Sequence, residues 1–243
     1  SIMSYASLAC IAIQANQNEM HGGQSVPNFD YSMAPGVAKT YVKEYYDALA
    51  QSLAVRLGIG YADACAIAKN IKKELPAPTL SNADAFEAEL CKWFTQADDK
   101  FGLDGKVLVA AHKNAAETAL ASTDKATFQA MEALVHNLNT MNSRAGAQVP
   151  FSSVNYGTDT SPEGRMVMKN LLLATDNGLG NGETPIFPVQ IFKVKEGINY
   201  NPEDPNYDLF RLAIKTSAKR LFPNFSFIDA PFNLEYYKPG DYN

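Results

Sequence analysis

Gln148-Val149-Pro150-Phe151-Ser152-Ser153-Val154-Asn155-Tyr156-Gly157-Thr158-Asp159-Thr160-Ser161-Pro162-Glu163 is the stretch on which the fold turns. Residues 147–156 predict a strand that emerges from a loop of Gly and Ser and ends at Tyr156. Ser161-Pro162 then predicts a helix start. Serine satisfies an orphan N–H at the cap, and proline is tolerated at the first helical position, where no donor is needed. That helix extends to about Asp176 and stops in Asn177-Gly178-Leu179-Gly180-Asn181-Gly182. A further strand follows over 185–194, then a helix from Pro205-Asn206 to about Leu221, then a strand through 225–228. Strand, helix, strand, helix, strand predicts parallel pairing with right-handed crossovers, an α/β fold.

Working back from this stretch, residues 4–17 predict a helix with Leu8, Ile11, Ala12 and Ala15 at helical spacing. It ends at Met20-His21-Gly22-Gly23, and a short strand follows over 24–31, with Pro27 suited to an edge. Ala34-Pro35-Gly36 punctuates. Helices are then expected over about 37–57 and 62–75. A third is capped by Ser81-Asn82 and carries Phe86, Leu90, Trp93 and Phe94 on one stripe, and two more follow near 106–121 and 124–142. Residues 37–142 therefore form a mainly helical section within one incomplete domain over 1–243. Four strands cannot close a barrel with helices outside, so they predict an open sheet or an arc of a larger barrel.

The chain has 243 residues, 46 % of them hydrophobic, enough for a substantial core. A net charge of −5 and a pI near 5.2 argue against a nucleic-acid or anionic-membrane surface, either of which needs clustered Lys and Arg. Backbone N–H groups can still bind phosphate without a basic patch. Cys10, Cys65 and Cys91 form no C-x-x-C pair, fit a reducing cytoplasm better than a disulfide framework, and fall on apolar helical stripes. No signal peptide or transmembrane run is evident. The turn Lys238-Pro239-Gly240-Asp241 just before the last residues reads more naturally as the end of a fragment.

Three loops combine glycine with polar side chains at a strand end: His21-Gly22-Gly23-Gln24-Ser25, Asn142-Ser143-Arg144-Ala145-Gly146-Ala147-Gln148, and Gly178 to Thr184. Glycine admits a ligand close to the backbone, and amides and hydroxyls supply neutral hydrogen bonds, a lining suited to ribose and phosphates. Ordinary turns are the alternative for each, and a helix cap alone accounts for the glycines of the third. Gln148, Ser152, Ser153 and Asn155 form a polar cluster on a strand otherwise apolar, and buried polar groups need partners. No His lies near a Ser or Cys nucleophile in sequence, and His112 and His136 fall within helices. The third loop lacks the G-x-x-x-x-G-K-[ST] pattern of a P-loop. The residues alone lead to an α/β domain with neutral, polar strand-end loops, and not to a reaction.

Several strings resemble the anaerobic, glycyl-radical ribonucleotide reductases. They are Gly22-Gly23-Gln24-Ser25-Val26-Pro27-Asn28-Phe29-Asp30-Tyr31, His136 to Met141, Ser143 to Ser153, Tyr156 to Arg165, Gly180 to Pro188, and Leu221 to Phe227. The resemblance implies an internal segment holding about half of a ten-stranded α/β barrel. It implies reduction of ribonucleoside triphosphates to 2′-deoxyribonucleotides for DNA synthesis, with formate as reductant and ATP or deoxynucleotides as allosteric effectors. It also implies a radical-SAM activase, a structural zinc and a homodimeric parent protein. The cysteines and glycine of the radical chemistry are expected outside this chain, so no catalytic residue or metal ligand is assigned and the segment by itself is expected to be inactive. Arg144, Gln148, Ser152, Ser153 and Asn155 are expected to bind the substrate, with the strand Gln148–Asn155 as a wall facing its ribose. The first helix resembles an element near the dimer interface and effector site. Gly22, Gly23, Gln24 and Ser25 resemble a loop that relays effector identity to the substrate base. Two alternatives stand beside this reading: another glycyl-radical enzyme of the pyruvate formate-lyase type, and an isolated nucleotide-binding or structural module.

Overall fold

A computed structural model describes residues 1–20, 22–101, 104–141 and 148–234. Its elements run α1 (Ile2–Glu19), β1 (Gln24–Val26), α2 (Phe29–Leu57), α3 (Tyr61–Glu74), α4 (Ala83–Phe101), α5 (Gly105–Thr140), β2 (Ser152–Tyr156), α6 (Pro162–Asn177), β3 (Val189–Val194), α7 (Tyr207–Arg220), β4 (Asn224–Phe227) and α8 (Pro231–Leu234). The strands form one sheet in the order β1-β2-β3-β4, every pair parallel. The α/β expectation holds. The chain divides into two compact units, Ser1–Val37 with Ala126–Asn243, and Ala38–Lys125, the boundaries falling inside α2 and α5.

The helical unit is built on periodicity. Tyr45, Leu49 and Leu53 recur every four residues along α2, as Ala64, Ala68 and Ile71 do at similar spacing along α3. The predicted stripe of Phe86, Leu90, Trp93 and Phe94 is buried on α4, and Ala111, Ala115 and Ala119 present a flat face on α5. Trp93 Nε1 donates to Glu74 Oε2 at 2.7 Å and ties α4 to α3. Tyr45 Oη and His112 Nδ1 share a hydrogen bond of 2.8 Å in this core, which makes His112 a satisfied core residue.

Several boundaries differ from the sequence reading, and the strands read over 147–156 and 185–194 begin only at Ser152 and Val189. Pro35 does not interrupt: α2 starts at Phe29, so β1 closes at Val26 and does not continue to Tyr31. A proline this close to a helix start forfeits one backbone bond. Gly36 is a point of close approach, since a Cβ there would lie 2.9 Å from the Tyr5 ring and 3.2 Å from Ile2 Cα of α1. Residues 105–140 form one helix instead of two, with Thr123 and Thr127 buried where a break was expected. The start of α4 is set by a short 3₁₀ turn, Leu80–Asn82, in which Thr79 and Asn82 cap one another. Cys91, expected on an apolar stripe, is exposed, while Cys10 is buried and its thiol is pushed up to about 11 by burial.

In the other unit, Ser161 and Pro162 open α6 as expected, Ser161 Oγ accepting from Gly164 N at 3.1 Å. Val167, Leu171 and Leu172 of α6 and Leu209 and Ala213 of α7 are buried, as are Val154, Tyr156, Phe192 and Val194 of the sheet.

Candidate functional site

The site grows from β2. Immediately after Tyr156 stands Gly157 at φ 135°, where a Cβ would lie 2.5 Å from Lys193 O, so only glycine lets the chain leave the sheet here. The next amides converge: the N–H groups of Gly157, Thr158 and Asp159 all donate to Oδ2 of Asp30, at 2.9, 3.1 and 3.1 Å. Asp30 is fully buried in the first turn of α2, where the helix dipole favours a carboxylate. Asn199 Nδ2 donates to Gly157 O and Lys193 O, and Asn206 Nδ2 to Gly157 O and Asp159 O. Arg165 holds Asn206 Oδ1 at 2.7 Å, Asp208 Oδ2 at 2.7 Å and the Pro205 carbonyl. Burial pushes the Asp159 carboxyl above the usual range, against the pull of its bond from Ser161 N. The loop at the C-terminal end of β2 is therefore fixed from both sides, and Asp30, Asn199 and Asn206, the residues that fix it, were not singled out by the sequence.

Strand parity sorts the polar candidates. Side chains alternate along a strand, and residues in register share a face. Val154, Tyr156, Gln190, Phe192 and Phe225 belong to the face that receives α6 and α7. There Tyr156 Oη donates to Gln190 Oε1 at 2.7 Å, Gln190 Nε2 donates to Thr175 Oγ1 at 2.7 Å, and the Phe192 and Phe225 rings pack on Phe210. The opposite face carries Ser25, Ser153, Asn155, Ile191, Asn224, Lys193 and Ser226. It is a mixed wall, in which hydroxyls, amides and one cation stand beside the apolar Val189 and Ile191, and Lys193 Nζ donates to Asn28 Oδ1 at 2.9 Å.

Of the predicted substrate residues, Ser153 and Asn155 stand together on this second face, both half-buried. Ser152 projects to the other face and is buried, so Ser152 and Ser153 do not line one wall. Asn155 Oδ1 and Ser152 Oγ are buried without a hydrogen-bond partner among the described residues. Gln148 is exposed ahead of β2. Arg144, with 142–147, lies outside the described residues, as does His21.

The register brings the two predicted groups side by side: Gln24 pairs with Ser152 and Ser25 with Ser153. The loop is tied back to α1, where Asn16 Nδ2 donates to Gln24 Oε1 at 2.8 Å and Gln17 Nε2 to Gly22 O at 3.4 Å. In the third loop, Gly178 caps α6 with φ 79°. Arg220 donates to Asp176 O and Gly182 O, and Glu183 accepts from Asn181 N. A cleft of about 590 Å³ lies between this loop and the α5 residues Gln129, Glu132 and His136. Among the described residues no three His, Cys, Asp or Glu side chains converge on a possible metal position, and Cys10, Cys65 and Cys91 sit on three different helices. No helix is long and apolar enough to cross a membrane, among the residues described.

A family model described as anaerobic ribonucleoside-triphosphate reductase matches residues 1–243. Curated relatives of that name are similar over part of the chain. The protein of enterobacteria phage T4 is 39 % identical over 107 residues, 44 % of this chain and 18 % of the relative. That of Haemophilus influenzae is 37 % identical over 107 residues, 44 % of this chain and 15 % of the relative. That of Escherichia coli is 35 % identical over 103 residues, 42 % of this chain and 14 % of the relative. In each case the aligned stretch spans less than a fifth of the relative's length.

Proposed function

The chain belongs to the anaerobic ribonucleoside-triphosphate reductase family, and on that premise we propose that its sheet is an arc of a ten-stranded α/β barrel whose inner wall faces the ribose of the substrate. The whole protein would reduce ribonucleoside triphosphates to 2′-deoxyribonucleoside triphosphates in the cytoplasm, as a homodimer activated by a radical-SAM enzyme, with formate as reductant and nucleotides as effectors. Glycyl and thiyl radicals supply the redox chemistry when formed, from residues the resemblance assigns to other parts of the protein. Among the described residues no group of three His, Cys, Asp or Glu side chains could hold a metal, so no zinc ligand is named in this chain.

The observation that carries the reading is the register of β1 on β2, which sets Gln24 and Ser25 beside Ser152 and Ser153. Mechanical contact gives an effector-sensing loop a direct route by which to bias a substrate-facing wall, and adjacent hydrogen-bonded strands supply that contact. On the wall, Ser153 and Asn155 hold and orient the sugar. The Oδ1 of Asn155 is buried without a hydrogen-bond partner among the described residues; a turn of the amide would let it accept from a ribose hydroxyl, and buried polar atoms are rarely left without a partner. Ser152 acts through β1, by its pairing with Gln24. Arg144 and Gln148 are assigned to the phosphates or base of the substrate.

In the full-length reductase, Ser153→Ala and Asn155→Ala each lower kcat/KM by about tenfold, the worth of one lost hydrogen bond of roughly 1.4 kcal/mol, while the melting midpoint stays near that of the parent protein. Steady-state kinetics with two ribonucleoside triphosphates check this. Unchanged kinetics in both variants would remove the wall from the site.

A further inference from the structure

Phe151 is a large aromatic residue left 60 % exposed immediately before β2. One edge of its ring meets the glycine loop. A Cβ on Gly23 would lie 2.9 Å from Phe151 Cδ1 and 3.5 Å from Cε1. Gly23 has an ordinary backbone conformation, since a left-handed φ is found at Gly22 and not here. A side chain at position 23 would therefore meet the Phe151 ring first, and the backbone itself would accept it. The same residue is bound to the loop through its main chain, Gln24 N donating to Phe151 O at 2.9 Å. The ring also packs edge-on against Phe187, centroids 5.1 Å apart. Phe187 in turn is pinned to α5, since Asn139 Oδ1 accepts from the N–H groups of Ile186 and Phe187.

From this we infer that Phe151 is a positioning residue: its ring, wedged between Gly23 and Phe187, transmits the conformation of the Gly22–Ser25 loop to the start of the Ser153–Asn155 wall. The inference rests on the proposed reading of that loop and wall and adds the part that joins them. The physical basis is a double link. On its packed side the ring lies between the glycine loop and Phe187, and the Gln24 N–Phe151 O bond ties the loop to the backbone of residue 151. A shift of the loop toward the ring therefore passes to that residue and on to β2, although the ring's other side is open to solvent.

The test uses the full-length reductase with two ribonucleoside triphosphates in competition, each deoxynucleoside triphosphate effector being added in turn. The readout is the ratio of the two products within one reaction, which cancels any loss of folded or activated enzyme. Gly23→Ala is expected to change that ratio by about fivefold or more for at least one effector, the lower end of ordinary coupling between sites. Phe151→Leu, which keeps apolar volume but removes the ring edge, is expected to move it as well. In a Phe151→Ala background, Gly23→Ala is expected to be silent, because its methyl group no longer has a ring to meet. The proposal is overturned if Gly23→Ala has the same effect with and without the ring, or if Phe151→Leu leaves every ratio unchanged. Gln24→Ala and Ser25→Ala separate the two levels. If they shift the ratio while the Phe151 variants do not, the loop reading stands and the wedge falls; if none of them does, the reading of the loop falls with it.

Discussion

Asp30 gathers three consecutive amides on one carboxylate oxygen, and its partners lie 127 to 129 positions along the chain. Each hydrogen bond to a charged group is worth about 1.5–3 kcal/mol, and removing the acceptor leaves buried donors unsatisfied. Asp30→Ala should therefore destabilise this chain by on the order of 3 kcal/mol or more, with Asp30→Asn intermediate. Urea denaturation measures it, and a loss below about 1 kcal/mol for Asp30→Ala would mean that the amides find other partners. His112 offers a second test. Burial lowers its pKa from the usual histidine value, and the Glu87 carboxylate only partly offsets this. Unfolding returns it to about 6.5, so the unfolded chain binds the proton more readily. The contribution of neutral His112 is complete above that value and is lost as the pH falls through the lower, folded value. Thermal melts between about pH 8 and pH 5 should show this loss in the parent chain and a flatter profile in His112→Gln.

Between β2, β3 and α6 runs a buried chain of hydrogen bonds from Tyr156 through Gln190 to Thr175, whose Oγ1 also donates to Leu171 O at 2.8 Å. Gln190→Leu leaves the Tyr156 hydroxyl and Thr175 without their partner, at a cost of about 2 kcal/mol. Adding Tyr156→Phe should cost less than it does alone, because the orphaned hydroxyl goes with it, and equal costs in both backgrounds would disprove the coupling. These elements were largely legible in the sequence. Ser161-Pro162 opens α6 and glycine closes it because capping is local chemistry that a few neighbouring residues decide. Pro35-Gly36 misled because the use of that glycine is a crossing against Ile2 and Tyr5, a tertiary fact with no local signature. The polar strand residues were recognisable by type. Their division into faces needed the strand limits, which decide that Ser152 and Ser153 part company. Asp30 stands inside one of the strings that carry the resemblance, but its role was not legible there, since nothing near it shows which distant amides it will serve.

At the scale of the whole molecule, a sheet and a helical unit share one chain, and the helical residues 38–125 are inserted between the first strand and the second. The wall proposed for the substrate and the loop proposed to sense effectors thus come from opposite sides of that insertion and meet only in the β1–β2 register. Both β1 and β4 are edges of the sheet as described, and exposed edges are templates for further strands. The insertion also sets a clock. On the ribosome β1 emerges first, the helices follow, and only then does β2 appear. At ~5–20 residues per second that interval is on the order of ten seconds. For that time Gln24–Val26 lacks the β2 partner it has in the fold, and the Asp30 carboxylate has none of its three amides. Slowing translation before residue 152 should therefore lengthen the dependence of this segment on chaperones.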